Sequence, residues 1–225
     1  MDKATAVGGP WRVLEERGAA GDLHAAAAGA LNDIPVQRTV RFCSAERPAL
    51  VLGSHQTEDA WDPQALRRAG VEVVRRKSGG SAVLVGPGLV LWVDLVIPAG
   101  DRLWDDDVGR AAWWVGDLWA DVVDGAEVWR GPMRPSEWSA VVCFAGLGPG
   151  EVTVAGRKVV GVSQRRTPRG ALFQTAALLD WRPGDYTSLM AHPVGDPAGL
   201  AGSAAGLGPE MEGRLRSALL ARLVT

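Results

Sequence analysis

The chain has 225 residues, of which 47% are hydrophobic and 22% charged, with a net charge of −2 and two cysteines far apart in the sequence. This composition is typical of a globular protein, and it gives no sign of general nucleic-acid affinity, a disulfide framework or a metal-binding cysteine pair. No apolar segment reaches the roughly 20 residues that cross a bilayer, and the first residues lack the apolar core of a signal peptide. We therefore expect a cytoplasmic protein that binds neither nucleic acid nor membrane.

Four segments have the composition or spacing of helices. The alanine-rich stretch 24–31 favours a helix, and the helical pattern of 63–70 ends at a glycine. Apolar residues recur at helical spacing in 105–125, where aspartates at the start suit the positive end of a helix dipole. Segment 209–223 has a proline in its first turn, which is typical of a helix start.

Strand patterns lie between these helices without a regular β–α–β alternation. Segment 48–53 reads as a short buried strand, and 71–98 reads as three strands separated by two glycine turns. Segment 192–209, rich in glycine, alanine and proline, is expected to be a loop. Further short strands are predicted at 126–130, 139–146, 151–164 and 171–180. The mixture predicts an α+β fold with a mixed, largely antiparallel sheet flanked by helices.

A basic, glycine-rich stretch, RRKSGGSAV, lies at a predicted turn between two strands. Glycines let a backbone approach a ligand and point its N–H groups at an anion, and hydrogen bonds to a charged partner are roughly twice as strong as neutral ones. The stretch is therefore a candidate substrate-binding loop, and the alternative is a solvated basic hairpin. Its candidate binding residues are Arg75, Arg76, Ser78, Gly79, Gly80 and Ser81.

The second candidate is the strand GRKVVGVSQRR at 156–166, which carries Lys158 among apolar residues. A lysine held on a rigid strand and facing a cleft can neutralise a phosphate or carboxylate as a compact point charge. Gly161 leaves space for a ligand against the strand, and Ser163 adds a polar group. The alternative is an ordinary exposed strand lysine.

Other familiar catalytic patterns are missing. The sequence has no complete phosphate-binding glycine motif and no nucleophile elbow. Its histidines, at 24, 55 and 192, show no metal-ligand spacing, so we predict no metal site and expect each histidine to lie at the surface or cap an element.

Taken together, the two candidate segments resemble lipoate–protein ligase A and its octanoyltransferase relatives, which share the biotin/lipoate ligase catalytic fold. RRKSGGSAV is similar to the arginine and glycine signature of that family, and GRKVVGVSQRR is similar to its lysine motif. PALVLGSHQ at 48–56 resembles a strand, turn and glutamine element of the family, and 11–31 resembles its first strand and helix. The likeness extends from about Trp11 to Leu179.

The resemblance implies acyl transfer, and the expected function is that of a lipoate–protein ligase-like acyltransferase. Family members attach lipoate or octanoate, free or carrier-bound, to a lysine of a lipoyl carrier domain. Ligases use ATP and magnesium to activate the free acid, whereas carrier-dependent transferases need no cofactor. The resemblance further implies that Lys158 contacts the activated carboxyl group, that the glycine-rich loop shapes the wall of the site, and that apolar strands supply a tunnel for the alkyl tail.

Cys143 raises an alternative function. One branch of octanoyltransferases has a cysteine–phenylalanine pair ahead of a glutamate and the lysine motif, and Cys143-Phe144, Glu151 and Lys158 follow that order. There the cysteine holds the acyl group as a thioester, and a thiol near cations would have its thiolate favoured. The structural alternative is a small buried residue in a strand. Cys43 has no such neighbours and is expected to be structural.

About 45 residues follow Leu179, too few for a further independent core. We therefore expect one catalytic domain over residues 1–225, without a separate C-terminal accessory domain. Ser81 stands where the family has another glycine or an arginine, so a diverged homologue that binds a lipoyl domain without chemistry is a further alternative.

Overall fold

The computed structural model describes residues 9–224, and its core is a seven-stranded sheet with a three-stranded sheet beside it. The strands are β1 Arg12–Gly18, β2 Thr39–Ala45, β3 Ala49–Leu52, β4 Glu72–Arg75, β5 Val83–Val85, β6 Val90–Pro98, β7 Ala126–Val128, β8 Val152–Val154, β9 Arg157–Thr167 and β10 Gly170–Leu178. The helices are α1 Ala20–Gly29, α2 Pro63–Ala69, α3 Trp113–Ala120, α4 Pro183–Ser188, α5 Pro197–Ser203 and α6 Glu212–Val224.

The large sheet has the order β1-β2-β6-β10-β9-β8-β7, and only the β1–β2 pair in this order is parallel. The small sheet has the order β4-β3-β5, in which β3 runs parallel to β4 and antiparallel to β5. The predicted α+β fold with a mixed, largely antiparallel sheet is therefore confirmed.

Strand β6 shows how the sequence divides the two faces of the large sheet. Successive side chains of a strand point to opposite faces, so Leu91, Val93 and Leu95 pack in the core that includes α3 and α6. On the other face, Trp92 packs with α1 and the small sheet. The small sheet thus covers one face of the large sheet, and the site described below lies between them.

Helix α2 follows its sequence signals closely. The Asp62 side chain accepts a hydrogen bond from the Gln64 backbone at 2.7 Å, Pro63 opens the first turn, and Gly70 ends the helix with φ of +65°. These are the usual start and stop signals of a helix, and the prediction for 63–70 is confirmed. The closing helix is confirmed as well, with a 3₁₀ turn at Pro209–Met211 before α6.

Three element predictions are wrong in part. The helix expected over 105–125 is only α3, because the Asp107 carboxylate accepts the backbone N–H groups of Gly109 and Arg110 and holds the preceding chain as a loop. Segment 139–146 is not a strand but ends in a 3₁₀ turn, Cys143–Ala145. Segment 192–209 contains α5, which the Asp196 side chain caps.

The helix predicted at 24–31 begins earlier, at Ala20, and ends at Gly29 before a short 3₁₀ turn. Within residues 9–224, no helix has the length and apolar character needed to cross a membrane.

Candidate functional site

Arg76 organises the glycine-rich loop, which we define as residues 76–82 between β4 and β5. Its buried guanidinium donates to Gly79 O at 2.7 and 3.2 Å, to Ser81 O at 3.0 Å and to Val51 O at 3.2 Å. Burial lowers the pKa of Arg76, and electrostatic interactions with Cys143 and Glu151 oppose that lowering. The loop is therefore folded around a buried positive charge.

Arg75 points to the other side of the strand and is exposed. It donates to Gly53 O at 3.1 Å and to Gln56 O, and it contacts the Glu58 carboxylate at 3.3 Å. Both arginines thus bind the backbone of the neighbouring turn or loop, a folding role that the sequence did not suggest. Substrate binding by either arginine stays a prediction.

The two glycines of the loop differ in what they require. Gly80 has φ of +93°, and a Cβ there would lie 2.8 Å from Arg76 Nη2 and 3.8 Å from Cys143 Sγ. A Cβ on Gly79 would meet nothing within 4 Å. Gly53, at the end of β3, faces Gly80 so closely that a Cβ would lie 1.7 Å from Gly80 O. Gly53 and Gly80 are therefore needed for the loop's close approach to β3, and sequence reasoning did not identify Gly53.

Serines connect this loop to its surroundings. Ser78 Oγ donates to Gln174 Oε1 at 2.8 Å and lies 3.0 Å from Ser163 Oγ, which joins the loop to β10 and β9. Ser81 Oγ donates to Ser139 O at 2.6 Å. The structure thus places Ser78 against Ser163 and Ser81 against Ser139, and substrate binding by these serines stays a prediction.

Lys158 is held on β9 and its side chain is only 3% exposed. Its ammonium donates to Cys143 O at 2.8 Å and Gly146 O at 3.0 Å, and it pairs with the Glu151 carboxylate at 2.6 Å. Three partners use all three N–H donors of a lysine. Lys158 therefore stabilises the turn that carries Cys143. The alternative of an exposed strand lysine is wrong.

Glu151 completes this arrangement. In addition to Lys158, its carboxylate accepts the backbone N–H groups of Gly148 at 2.7 Å and Val162 at 3.2 Å. Both oxygens of the buried Glu151 carboxylate thus have a hydrogen-bond partner. The ion pair leaves this side of the site with no net charge, which the sequence alone did not reveal.

Cys143 opens the 3₁₀ turn and is half-buried, with its backbone N–H donating to Ala82 O at 2.9 Å. The turn brings Phe144 beneath the lysine, with Lys158 Nζ 5.1 Å from the ring centroid. A Cβ on Gly161 would lie 3.3 Å from Phe144 Cζ and 3.5 Å from Lys158 Cε. Gly161 therefore makes room for two protein side chains, and its contact with a ligand stays a prediction.

Two cavities meet at Cys143. A wide cleft of about 590 Å³ lies between the glycine-rich loop and the Lys158 side, and a narrow pocket of about 50 Å³ runs inward between the two sheets. Cys143, Val162 and Ser163 border both. The narrow pocket is otherwise lined largely by apolar side chains, among them Val51, Val83, Val85, Trp92, Phe144 and Ala176. The arrangement offers an open space for a polar group and an apolar space for a chain, joined at a thiol.

The inner part of the narrow pocket carries polar side chains that sequence reasoning missed. His24 is buried, contrary to the expected surface position, because α1 packs against the large sheet. Its Nδ1 lies 3.0 Å from Gln174 Nε2, and its ring lies 4.4 Å from the Trp92 ring. Burial, together with the nearby Arg76 and Arg41 charges, lowers the pKa of His24 to about 3, so the imidazole is neutral at physiological pH.

Across residues 9–224, no group of three or more histidine, cysteine, aspartate or glutamate side chains lies close enough to hold a metal ion. Around the wide cleft, Lys158 is the one lysine or arginine among the described lining residues, and Glu151 already pairs with it. The charge of the one lysine or arginine among these described lining residues is therefore balanced by a carboxylate.

The fold is shared with solved lipoate–protein ligases. A bipartite lipoate protein ligase from Thermoplasma acidophilum, whose study includes its E2 lipoyl domain, matches with a TM-score of 0.69 and 16% identity over 94% of this chain and 81% of that chain. A lipoate-protein ligase A bound with ATP matches with a TM-score of 0.70 and 16% identity over 94% and 83%. The P. falciparum LipL1 in complex with lipoate matches with a TM-score of 0.64 and 12% identity over 94% and 60%.

None of the curated proteins matches the sequence. The family model of the lipoyl protein ligase A/B catalytic domain matches residues 28–196, which include the glycine-rich loop, Cys143 and Lys158. Because this match covers most of the chain, the protein belongs to the lipoyl protein ligase A/B catalytic domain family.

Proposed function

We propose that the protein transfers a medium-length acyl group, octanoyl or lipoyl, to a lysine of a lipoyl carrier domain, and that Cys143 holds the acyl group as a thioester on the way. The proposal rests on one observation above all: Cys143 borders both the apolar narrow pocket and the wide cleft. The alkyl tail would occupy the narrow pocket, and the donor and then the acceptor would enter through the cleft.

The environment of the thiol supports its role as nucleophile. The thiolate is the reactive form of cysteine, and a nearby positive charge favours it. The buried Arg76 guanidinium interacts electrostatically with Cys143 and forms no ion pair with a carboxylate among residues 9–224. Cys43, by contrast, lies in the core, where burial raises the pKa of its thiol.

The chemistry is two exchanges at one carbonyl carbon. The Cys143 sulfur attacks the donor thioester, its bond to the acyl carbon forms as the donor carbon–sulfur bond breaks, and the donor thiol leaves with the proton. The acceptor lysine then attacks as a neutral amine, the amide bond forms as the bond to Cys143 breaks, and the amine proton goes to the departing sulfur. In this scheme Lys158 fixes the turn carrying Cys143 through the Cys143 and Gly146 carbonyls.

A carrier-bound thioester suits the charge of the cleft better than ATP does. A triphosphate carries several negative charges, and burying them without paired cations is costly. Because Glu151 pairs with Lys158, the one lysine or arginine among the described residues that line the cleft is already balanced, and the unpaired Arg76 guanidinium borders the narrow pocket instead. ATP-dependent ligation, with magnesium, remains the second candidate on the likeness to a ligase structure solved with ATP.

The test is intact-mass measurement after incubation with an octanoyl-carrier thioester. We expect a hydroxylamine-sensitive octanoyl adduct on the wild type and on Cys43→Ser, and none on Cys143→Ser. Adding an apo lipoyl domain should move the adduct to the acceptor lysine.

A parallel incubation supplies lipoate, ATP and magnesium with the same acceptor. Acceptor modification in this arm alone, unaffected by Cys143→Ser, would assign the protein as a ligase and overturn the thioester step. No modification in either arm, together with measurable binding of the lipoyl domain, would indicate a noncatalytic homologue.

A further inference from the structure

We propose that Trp92, backed by His24, closes the inner end of the narrow pocket and so limits the length of acyl chain that the protein accepts. The assignment of this pocket to the acyl tail rests on the proposed function. The limit itself follows from how these side chains divide the cavities.

Trp92 and Val85 form a thin partition. Both border the narrow pocket, and both also border a separate outer depression of about 220 Å³ on the far side, which Cys43 and Ser44 help to line. His24 borders the narrow pocket and a third depression beside α1 and β4. Trp92, Val85 and His24 therefore each border the narrow pocket and one of the two neighbouring depressions.

Trp92 is fixed in place by a buried polar network. Its indole N–H donates to Asp94 Oδ1 at 2.7 Å, and Arg41 donates to Asp94 Oδ2 at 3.1 Å. The Arg41 guanidinium also pairs with Glu16. An indole held by a buried, charge-assisted network does not readily change its rotamer. Trp92 should therefore keep its position when an acyl chain enters the pocket.

His24 supports the same wall from the side of α1. Its ring packs on Trp92, and its Nδ1 is paired with Gln174, whose carbonyl accepts from Ser78. The imidazole is neutral, so it adds no positive charge to a pocket end that would meet the apolar end of an acyl chain. The Trp92 indole N–H and the His24 Nδ1 atom therefore already have protein partners.

The size of the expected effect follows from burial of methylene groups. Each buried methylene contributes about 0.8 kcal/mol, which corresponds to about fourfold in affinity. Opening the partition should let about two further methylene groups enter and should tighten binding of longer acids by about fifteenfold relative to the wild type.

The experiment measures binding of straight-chain carboxylic acids of increasing length by calorimetry. The proteins are the wild type, Trp92→Leu and Val85→Ala, and the Val85→Ala variant keeps the Trp92–Asp94 hydrogen bond. We expect the wild type to bind progressively tighter up to a limiting length and both variants to move that limit to longer acids, with the larger shift in Trp92→Leu.

Trp61→Leu is the matched control. Trp61 and Trp92 are 3% and 4% exposed, but Trp61 packs in a different core cluster that does not border the narrow pocket. It should keep the wild-type length profile. Folded Trp92→Leu and Val85→Ala proteins that both keep that profile would overturn the proposal.

Binding is measured without turnover, so the result separates the two proposals. A length limit that shifts in protein showing no acyl transfer would leave this inference standing and the proposed function refuted. An unshifted limit in protein that does transfer acyl groups would refute this inference and leave the proposed function standing. No binding of any acid by the wild type would refute the assignment of the pocket to the acyl tail.

Discussion

The two walls of the wide cleft are each held by a buried cation, but the cations are balanced differently. On the loop wall, Arg76 binds three backbone carbonyls and forms no ion pair with a carboxylate among the described residues. On the opposite wall, Lys158 binds two carbonyls and pairs with Glu151 at 2.6 Å. The loop wall therefore keeps a net positive charge near the Cys143 thiol, whereas the opposite wall is neutral.

The structure thus suggests different roles for Arg76 and Lys158, whereas the sequence analysis gave both the same role. Both cations were expected to bind the substrate directly. In the structure, Arg76 can influence the thiol through its charge, and Lys158 can influence it through the position of the turn. The comparison predicts that substitutions on the two walls will affect stability, reactivity and transfer in different proportions.

The largest effect on acyl transfer is expected from Lys158→Met. Removing one partner of a buried ion pair leaves an uncompensated charge and costs about 3–5 kcal/mol of unfolding free energy. We expect this loss in urea unfolding, together with loss of acyl transfer under conditions where the variant is folded.

The double variant Lys158→Met, Glu151→Gln sharpens this test. With no unpaired carboxylate left, it should recover part of the lost stability but no transfer, because the Cys143 turn still lacks its fastening. Full transfer activity in the double variant would show that Lys158 is not needed for the chemistry.

Arg76→Met is expected to have the next largest effect on acyl transfer, and its cost in unfolding free energy is at least as large as that of Lys158→Met. It leaves three carbonyls of the loop and β3 without their partner, and each hydrogen bond to a charged group contributes about 1.5–3 kcal/mol. It should also slow the reaction of Cys143 with iodoacetamide at neutral pH, because it removes the positive charge that interacts with Cys143. Both are measurable, by urea unfolding and by mass spectrometry of the alkylated protein.

Arg75→Met is the control for this variant. The exposed Arg75 contacts Glu58 at the surface, where an ion pair contributes at most about 1 kcal/mol. We expect its thiol reactivity to equal that of the wild type. Equal slowing by both substitutions would mean that Arg76 has no special relation to Cys143.

The fold could be predicted from the sequence wherever local pattern and tertiary position agree. Strand β6 alternates between two buried faces, and α2 carries its own start and stop signals, so both were found. The turn at Cys143 was taken for a strand because its conformation depends on Lys158, fifteen positions later, binding Cys143 O and Gly146 O. No local pattern encodes that contact.

At the candidate site, too, the sequence did not reveal features that depend on contacts between distant residues. Motif order indicated Lys158 and Cys143, and the structure places both at one cleft, although their roles stay predictions. Gly53 was missed because its need for glycine comes from Gly80, which follows only after α2 and β4. His24 was missed because a histidine in an alanine-rich helix gives no sign of which face is buried.

Gly53→Ala tests the loop wall with a smaller change. A Cβ 1.7 Å from Gly80 O forces the loop away from β3, and overpacking of this kind typically costs about 1–3 kcal/mol. Gly79→Ala is the control, because its Cβ would meet open space. We expect lower stability only for Gly53→Ala, and equal unfolding midpoints would contradict the close approach of the two segments.

The smallest effect at neutral pH is expected from the His24 side chain of the narrow pocket, and it grows on acidification. The folded-state pKa of His24, about 3, lies below the ordinary value of 6.5. On acidification the unfolded chain therefore binds the His24 proton before the folded protein does. The contribution of the neutral His24 to stability is thus fully present above pH 6.5 and is lost as the pH falls toward 3.

Asp94 acts in the opposite direction, because burial raises its pKa from 3.8 to about 6. The wild type alone should therefore show little net change between pH 6 and 4. The difference between His24→Gln and the wild type isolates the histidine, and it should grow in favour of His24→Gln by at most about 1.4 kcal/mol per pH unit below 6.5. Urea unfolding at pH 7, 6, 5 and 4 measures this difference, and parallel stability curves for the two proteins would show that His24 takes up its proton as readily in the folded state as in the unfolded chain.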